Sequence, residues 1–323
     1  MPMIAYPVPQ IIETSLSEIT ETRPVALITS PPAWAAAVHA GLQLAPTWRG
    51  NVQDATEAQF AALAAGYPGD AEVVYGVGGG LAADAAKYLA WQHGLPLVVI
   101  PTALSVDAHL TWASGVRRDG CVVYLETGPA QICYADYRLL AEAPPHVRAA
   151  GICDLLSIAT GSYDWRYAEE RGQNLPQQRW LPWAARMAHE LLTAAIEIAP
   201  AAGRGDHGGL RELLQLLALE VQLCNLLGHS RPEEGSEHYL AYALEAHPAI
   251  GAGHAHGDLV GPAILRAAGW QHQPTAPLRR ALQAAGVPLD RVSEAVFAAV
   301  ERELPAYVRR HGLAYGIAHD LKT

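Results

Sequence analysis

Three polar residues from separate segments of the chain have the chemistry of metal ligands. Asp154 lies in the segment AAGICDLLS, His238 in SRPEEGSEHYLAYALE, and His256 in GHAHGDLVGPAIL. One carboxylate and two imidazoles can form a three-ligand metal site that keeps a coordination position open for a substrate. Other elements of the chain must bring these three segments together and place a substrate beside them.

A run of glycines upstream is the second segment with chemical meaning. In VVYGVGGGLAADAAKYLA, an apolar strand pattern leads into Gly78, Gly79 and Gly80 and then into a helical pattern. Gly78, Gly80 and Ala83 fit the G-x-G-x-x-G/A spacing with which a chain approaches a dinucleotide phosphate. A tight strand-to-helix turn without a ligand is the alternative interpretation. A nucleotide loop followed by an open metal site favours chemistry on an alcohol or a carbonyl.

Polar residues also follow the next predicted strand, in IPTALSVDAH. Thr102 and Ser105 can reach a cofactor, and Asp107 lies where ligands of α/β proteins bind, beyond the carboxyl end of a strand. The alternative is that Ser105 and Asp107 only cap a turn. Lys87, one of two lysines in the chain, is either a surface residue or a phosphate-side or structural charge.

Most of the 14 histidines must be ordinary surface or core residues. His254 and His256 are two positions apart, so they do not share a helix face and only one of them is expected at a site. The sequence has no H-E-x-x-H and no G-x-S-x-G motif, so neither a zincin protease nor a serine hydrolase is supported.

Composition narrows the class of protein. A chain of 323 residues predicts two domains. The net charge of −10 without a basic run argues against binding to nucleic acid or to an anionic membrane. No segment is apolar enough to insert into a membrane, and the start of the chain has no export signal, so we expect a cytoplasmic protein. The four cysteines are scattered, which is typical of reduced thiols.

The elements change character along the chain. The segments PVALITS, EVVYGVGGG and LPLVVIPTALS read as buried strands that alternate with helices, which predicts a parallel sheet. The segment ASGVRRDGCVVYLET predicts a hairpin with its turn at Asp119-Gly120. From about Ala141 onward only helical patterns follow. We predict an α/β Rossmann-like domain over residues 1–143 and an all-α domain over 144–323, with a cleft between them.

Together these segments resemble the metal-dependent alcohol dehydrogenase superfamily, which includes glycerol dehydrogenases, glycerol-1-phosphate dehydrogenases and dehydroquinate synthases. The similarity runs from about Val73 to Ala263, and its pieces GGGLAADAAKYLA, IPTALSVDA, SRPEEGSEHYLAYAL and HGDLVGPAIL occur in family order. The Ser-Arg-Pro…Gly-Ser-Glu-His stretch is most similar to glycerol-1-phosphate dehydrogenases. The resemblance implies a dehydroquinate synthase-like fold.

The resemblance also implies roles for single residues. It makes Asp154, His238 and His256 the ligands of Zn²⁺, with other divalent metals left open, and it prefers His256 over His254. It makes Asp107 a substrate-side aspartate. It assigns the cofactor, NAD or NADP, to a set of residues on the glycine loop and the next loop: Gly78, Gly79, Gly80, Asp84, Lys87, Thr102 and Ser105.

The implied activity is the reversible, NAD(P)-dependent oxidation of a secondary alcohol in a small polyol or polyol phosphate. The leading pair is sn-glycerol-1-phosphate and dihydroxyacetone phosphate, and Arg231 is the candidate partner of the phosphate. A sugar-phosphate cyclase of the dehydroquinate synthase kind and a non-catalytic family member are the alternatives. The cyclase is disfavoured because its Gly-Gly-Lys after the third strand is missing. A homo-oligomer is left open.

The turn after the first predicted strand bears on the choice of cofactor. A strict NAD enzyme is expected to offer an acid there to the ribose 2′-hydroxyl. This turn, ITSPPAW, offers Thr29 and Ser30, and no acid follows until Asp54. The sequence therefore predicts that NADP is accepted at least comparably to NAD.

Overall fold

A six-stranded parallel sheet forms the first part of the molecule. The computed structural model describes residues 6–250 and 254–322. The strands of the sheet are β1 Gln10–Glu13, β2 Val25–Thr29, β3 Pro46–Asn51, β4 Val73–Gly78, β5 Leu97–Pro101 and, after two strands that lie outside it, β8 Ile132–Ala135. Their spatial order is β1-β8-β5-β4-β2-β3, and all neighbours run parallel.

The three strands predicted from the sequence are the central ones, and the predicted parallel sheet is confirmed. Strands β2, β4 and β5 are buried along their whole length, as expected where both faces of a parallel sheet are covered. Strands β1, β3 and β8 were not predicted from the sequence. Strand β3, with the sequence PTWRGN, is an edge strand with largely alternating exposure, and the other two have only four residues each, too few for a clear pattern.

A separate hairpin, formed by β6 Ser114–Arg118 and β7 Cys121–Leu125, follows the fifth strand. Its turn lies at Asp119 and Gly120, as predicted, and both have positive φ, 54° and 74°. Such a two-residue turn matches the twist of paired strands. The Tyr307 hydroxyl donates a hydrogen bond of 2.8 Å to the Gly120 carbonyl, which ties the hairpin to the helical part.

Three helices accompany the sheet: α1 Pro31–His39, α2 Glu57–Ala65 and α3 Gly80–His93. After Ala135 every regular element in the described ranges is helical, which confirms the predicted α/β region followed by an all-α region. These helices are α4 Tyr137–Glu142, α5 Pro145–Arg148, α6 Ile152–Leu156, α7 Ile158–Glu170, α8 Pro182–Arg204, α9 His207–Leu227, α10 Ser236–Glu245, α11 His256–Trp270, α12 Thr275–Ala284 and α13 Glu294–Arg310. Within the described residues, no helix combines the length and apolar character needed to cross a membrane.

The helical part has one large core that reaches the sheet. Helix α8 contributes a stripe of small buried residues at helical spacing, which lets α9 pack closely against it. Asp206 caps the start of helix α9, because its carboxylate accepts hydrogen bonds from the amides of Gly208 and Gly209. Leu104 and Leu110, from the segment after β5, belong to the same core. This segment therefore joins the carboxyl end of the sheet to the helices.

Candidate active site

A cavity of about 890 Å³ lies where the carboxyl ends of the strands face the helical part. The segments after β2, β4 and β5 contribute to its lining, as do the hairpin and helices α6, α9, α10 and α11. Open α/β sheets bind ligands at this end of their strands. The cavity is therefore the natural place to look for the residues singled out from the sequence.

Asp154, His238 and His256 meet in this cavity although 102 positions separate the first from the last. One ligand atom from each lies within 4.8 Å of the others. The Nε2 atom of His256 lies 3.1 Å from Oδ1 of Asp154, and the two imidazole centroids are 5.4 Å apart. Tetrahedral zinc, with bonds of about 2.0–2.1 Å, separates its ligand atoms by roughly 3.3 Å. The donor types and their spacing therefore fit a divalent metal.

The backbone around Asp154 explains its position. Asp154 is the third residue of α6, which follows Gly151, and the Gly151 amide donates a 2.8 Å hydrogen bond to the Leu104 carbonyl. The Asp107 amide donates to Oδ2 of Asp154 over 2.9 Å. A Cβ atom at Gly151 would lie 3.0 Å from the Leu104 oxygen, so a side chain would push the two segments apart. The segment after β5 thus holds the carboxylate and leaves Oδ1 facing His256.

Glu237 orients the second imidazole and was missed by the sequence analysis. Its side chain is fully buried, and Oε1 accepts hydrogen bonds from Nδ1 of His238 at 2.9 Å and from the Gly235 amide at 2.6 Å. Burial lowers the pKa of His238, but the hydrogen bond and charge of Glu237, together with the charges of Glu234 and Asp154, outweigh it and raise the pKa to about 9. A carboxylate on Nδ1 leaves Nε2 as the ligand atom and fixes the ring. The only signal in the sequence was an acid directly before His238.

His256 is the first residue of α11, and His254 lies just before the helix. The carboxylate of Asp258, in the first turn, accepts a 3.3 Å hydrogen bond from the Ala255 amide and helps to fix where the helix starts. His254 is exposed, and its Nε2 lies 3.2 Å from the Ile250 carbonyl. It borders the cavity but does not belong to the group of three ligand atoms.

The glycine loop lines the other side of the cavity through Gly79 and Gly80. Helix α3 starts at Gly80, so its free amides are available to an anion. Gly78 is one residue deeper, with φ of +154°, and its carbonyl accepts hydrogen bonds from the Thr102 amide and from Nε2 of His109, both at 3.0 Å. A Cβ atom at Gly80 would collide with Cγ1 of Val106. The glycines are therefore required by close packing as well as by space for a ligand.

His109 was also missed by the sequence analysis. It is buried behind the glycine loop, and burial lowers its pKa to about 4, so the ring is neutral and donates one N–H to the Gly78 carbonyl. Nothing in the local pattern around His109 distinguishes it from an ordinary core histidine. Its contact with the loop arises from the short turn over Asp107–His109 that follows β5.

Lys87 and Asp84 form an ion pair on α3 in which the lysine is buried. The Lys87 side chain is 1% exposed, and Nζ lies 2.9 Å from both Oδ1 of Asp84 and Oγ1 of Thr111 and also contacts the Ala113 carbonyl. Asp84 lines the cavity, whereas Lys87 does not. Of the two interpretations offered for Lys87, the structure supports the structural charge and not the surface residue.

The residues after β5 divide between the cavity and its support. Ser105 and Asp107 line the cavity, and a Cβ atom at Gly79 would lie 3.3 Å from Oγ of Ser105. Thr102 is not in the lining and lies behind the glycine loop. Burial, with the neighbouring charge of Asp154, raises the pKa of Asp107 to about 8. Asp107 is therefore a carboxyl group of this segment that borders the cavity close to Asp154.

The structure corrects the expectation for Arg231. Its side chain is 3% exposed, and NH2 donates hydrogen bonds to the carbonyls of Asp164 at 3.0 Å and Tyr315 at 2.7 Å. Its other contact is with the Tyr239 hydroxyl, and it is absent from the cavity lining. A guanidinium that crosslinks buried backbone in this way is not available to a substrate phosphate.

The turn after β2, on which the prediction about NADP rests, lies beside a second loop that lines the cavity. Thr29 is buried, and its hydroxyl donates to the Val77 carbonyl at 2.7 Å. Ser30 does line the cavity, but so does Asp54, from the loop after the edge strand β3. That loop lies beside the turn after β2, since the Val52 amide donates to the Thr29 carbonyl at 2.9 Å. An acid therefore borders the cavity near this turn even though the turn itself has none.

The chain is similar in sequence to known dehydrogenases. Residues 22–144 match the family model described as iron-containing alcohol dehydrogenase. The chain is 31% identical over 180 residues to the glycerol-1-phosphate dehydrogenase, NAD(P)+, of Bacillus licheniformis, which is 56% of this chain and 44% of that protein. For the protein of the same name from Hyperthermus butylicus the identity is 32% over 227 residues, which is 67% and 60%. The chain thus spans about half the length of these curated relatives.

Solved structures show the same fold. A probable glycerol dehydrogenase from Sinorhizobium meliloti superposes with a TM-score of 0.71 at 19% identity, covering 96% of this chain and 92% of that one. A sulfoacetaldehyde reductase from Bifidobacterium kashiwanohense, solved in complex with NAD+, gives 0.67 at 16% identity, covering 97% and 93%. The sequence matches confirm the resemblance to iron-containing alcohol dehydrogenases and glycerol-1-phosphate dehydrogenases, and the superpositions show that the chain has the fold of a glycerol dehydrogenase.

Proposed function

We propose that the protein is a metal-dependent oxidoreductase that uses NAD(P) to interconvert a secondary alcohol of a small polyol or polyol phosphate and its ketone. One observation carries the proposal. The donor set of Asp154, His238 and His256 opens into the same cavity as Gly79 and Gly80, at the start of α3. A dinucleotide on the glycine loop and an alcohol oxygen at the donor set would therefore share one cavity.

The chain's own residues would have distinct tasks. Asp154, His238 and His256 would hold a divalent metal, for which we propose zinc, and Glu237 would keep the ring of His238 in place. Asp107 would accept a hydrogen bond from a hydroxyl next to the reacting carbon. The metal would supply Lewis-acid polarisation of the oxygen, and the nicotinamide would supply the hydride chemistry.

The first substrate pair to test is sn-glycerol-1-phosphate and dihydroxyacetone phosphate, because the curated relatives are named glycerol-1-phosphate dehydrogenases. The cavity offers little to a phosphate. Arg117 is the single lysine or arginine among its described lining residues, and its NH2 and Nε atoms donate to the Glu245 carboxylate at 3.0–3.1 Å. We therefore propose the reaction for small polyols in general, with or without a phosphate group.

The test is a steady-state assay of glycerol, sn-glycerol-1-phosphate and dihydroxyacetone phosphate with NAD and NADP on zinc-loaded protein. We expect net formation or consumption of reduced cofactor with at least one of them. Asp154→Asn is expected to lose this activity, because it removes an anionic ligand while keeping the shape of the side chain. A cyclase would instead convert a sugar phosphate without net change in reduced cofactor, and that result would overturn the proposal. The proposal would also be overturned if metal and cofactor bind but none of the polyols tested is converted.

A further inference from the structure

A second cluster of polar side chains lies in the same cavity, apart from the three proposed metal ligands. It consists of Glu220 and Cys224, one turn apart on α9, and Glu233 on the loop before α10; we call it the acid wall. One ligand atom from each lies within 4.8 Å of the others. The acid wall lies close enough to the proposed metal site for the charges of Asp107 and Asp154 to act on it. Burial is the main cause that raises the pKa of Glu220 and of Glu233, and those two charges raise it further.

Glu220 has a carboxylate oxygen that the protein does not satisfy. The residue is 2% exposed and lines the cavity, and its Oε1 accepts a 3.0 Å hydrogen bond from the Cys224 thiol. Its Oε2 is buried and has no hydrogen-bond partner among the described residues. A buried carboxylate oxygen without a donor is costly, so native proteins normally provide one. A donor from a bound ligand would fill this position.

The charge of the cavity indicates the sign of that ligand. Apart from Arg117, which is bound to Glu245, the described lining contains no lysine or arginine. The described lining contains nine acidic side chains, two of which, Asp84 and Glu245, are paired with Lys87 and Arg117. The nine are Asp54, Asp84, Asp107, Asp154, Glu220, Glu233, Glu234, Glu245 and Asp258. A phosphate at the acid wall would find no cation to pair with, whereas a bound cation is attracted to these acids and favours their charged form.

We propose that the acid wall binds a protonated amine, so that the substrate is an amino alcohol whose ammonium group lies between Glu220 and Glu233. This inference rests on the proposed function. An ammonium group has three N–H donors and no acceptor, which suits a site made of carboxylate oxygens with one unsatisfied. A second metal ion is less suitable, because Cys224 donates its proton to Glu220 and a metal would need the thiolate.

Three substrates that share a 1,2-diol and differ only at the third carbon test this directly. They are 3-amino-1,2-propanediol, glycerol and sn-glycerol-1-phosphate. On zinc-loaded protein we expect kcat/KM for the amine to exceed that for glycerol at least tenfold and the phosphate to be the poorest. Calorimetric titration in the presence of oxidised cofactor is expected to rank their dissociation constants in the same order.

Variants of the acid wall separate charge from structure. Glu220→Gln and Glu233→Gln, each isosteric, are expected to abolish most of the preference for the amine while the rate with glycerol changes less than threefold. Glu212→Gln is the matched control, because Glu212 is exposed on the same helix and the substitution removes the same charge. Metal content and thermal melting check that each variant is folded and loaded.

Several results would overturn the inference. A preference for sn-glycerol-1-phosphate in the unaltered protein would do so, as would an amine preference that survives both acid-wall variants. A second metal ion per chain that disappears in Glu220→Gln would mean that the wall is a metal site. If none of the three diols is oxidised although metal and cofactor bind, the proposed function itself fails, and calorimetry with the amine then decides the acid wall independently.

Discussion

At the scale of single residues, His254 and His256 show how two neighbouring histidines acquire different surroundings. His256 starts α11 and faces Asp154 at 3.1 Å, whereas His254 is exposed and contacts a backbone carbonyl. The difference arises because the helix starts between them. The same principle operates at His238, where the buried carboxylate of Glu237 decides which ring nitrogen faces the cavity.

We predict that the protein binds about one divalent metal per chain and that His256→Ala removes both metal and activity. Without His256 only Asp154 and His238 remain, and two ligands are too few to hold the ion. Elemental analysis after gel filtration measures this. His254→Ala is the matched control and is expected to keep full metal content and most of the activity. Full metal in His256→Ala would show that the ligand set is wrongly assigned.

At the scale of elements, the junction of β4 and α3 decides where a dinucleotide can lie. Gly78 has a backbone conformation that other residues rarely adopt, and Gly80 has no room for a side chain beside Val106. Gly79 differs, because it faces the cavity and a Cβ atom there meets only Oγ of Ser105 at 3.3 Å. A substitution at Gly79 therefore changes the space for the ligand more than the packing of the protein.

Gly79→Val is expected to weaken binding of reduced cofactor at least tenfold, about 1.4 kcal/mol, because the side chain occupies the place of the pyrophosphate. Metal content is expected to stay unchanged. Fluorescence titration with NADH and NADPH measures the effect. Gly269→Val serves as the control, since Gly269 is exposed and an added Cβ meets nothing within 4 Å. Equal affinities for the two variants would remove the loop from the cofactor site.

The loop after β3 affects the choice between NAD and NADP. We now predict that NADH binds at least tenfold more tightly than NADPH, because the Asp54 carboxylate borders the cavity and would repel a 2′-phosphate. Asp54→Asn is expected to bring the two dissociation constants close together when both are measured at one salt concentration. Asp70→Asn, on the exposed loop before β4, is the control for the loss of one negative charge. Equal binding of both cofactors by the unaltered protein would restore the expectation drawn from the turn after β2.

At the scale of the whole molecule, the proposed metal site joins helices that are far apart in the chain. Asp154 is on α6, His238 on α10 and His256 on α11, and α10 and α11 pack against each other and against the rest of the helical core. A ligand that binds only the folded arrangement stabilises the entire fold by mass action. The metal is therefore expected to contribute to stability as well as to chemistry.

Chelation is expected to lower the melting temperature by several degrees. With free zinc at about 1,000 times its Kd, binding stabilises the folded state by about 4 kcal/mol, and this is lost when the metal is removed. Differential scanning calorimetry with and without EDTA measures the shift, and added zinc is expected to reverse it. His256→Ala is expected to melt at the same temperature in both conditions. A melting temperature that does not respond to chelation in the unaltered protein would argue against a resident metal.

The sequence by itself determined the central strands, the hairpin turn and the glycine loop, and its resemblance to a known family singled out the three proposed metal ligands. The strands, the turn and the loop follow from local patterns: continuous apolar runs, an Asp-Gly pair typical of a two-residue turn, and a run of glycines between a strand and a helix. Edge strand β3 and the short strands β1 and β8 escaped, because four to six residues with mixed exposure carry too little periodicity.

Only the tertiary structure decided what these residues face. It assigned Arg231 to the core instead of the cavity, brought Asp54 to the turn after β2, and placed Glu220 and Glu233 in the same cavity as the proposed metal site. No local pattern contains this information, since the partners are tens to hundreds of positions apart. Burial and the charges of distant neighbours, which follow from the packing of helices against the sheet, determine whether a charged side chain supports the fold or meets a ligand.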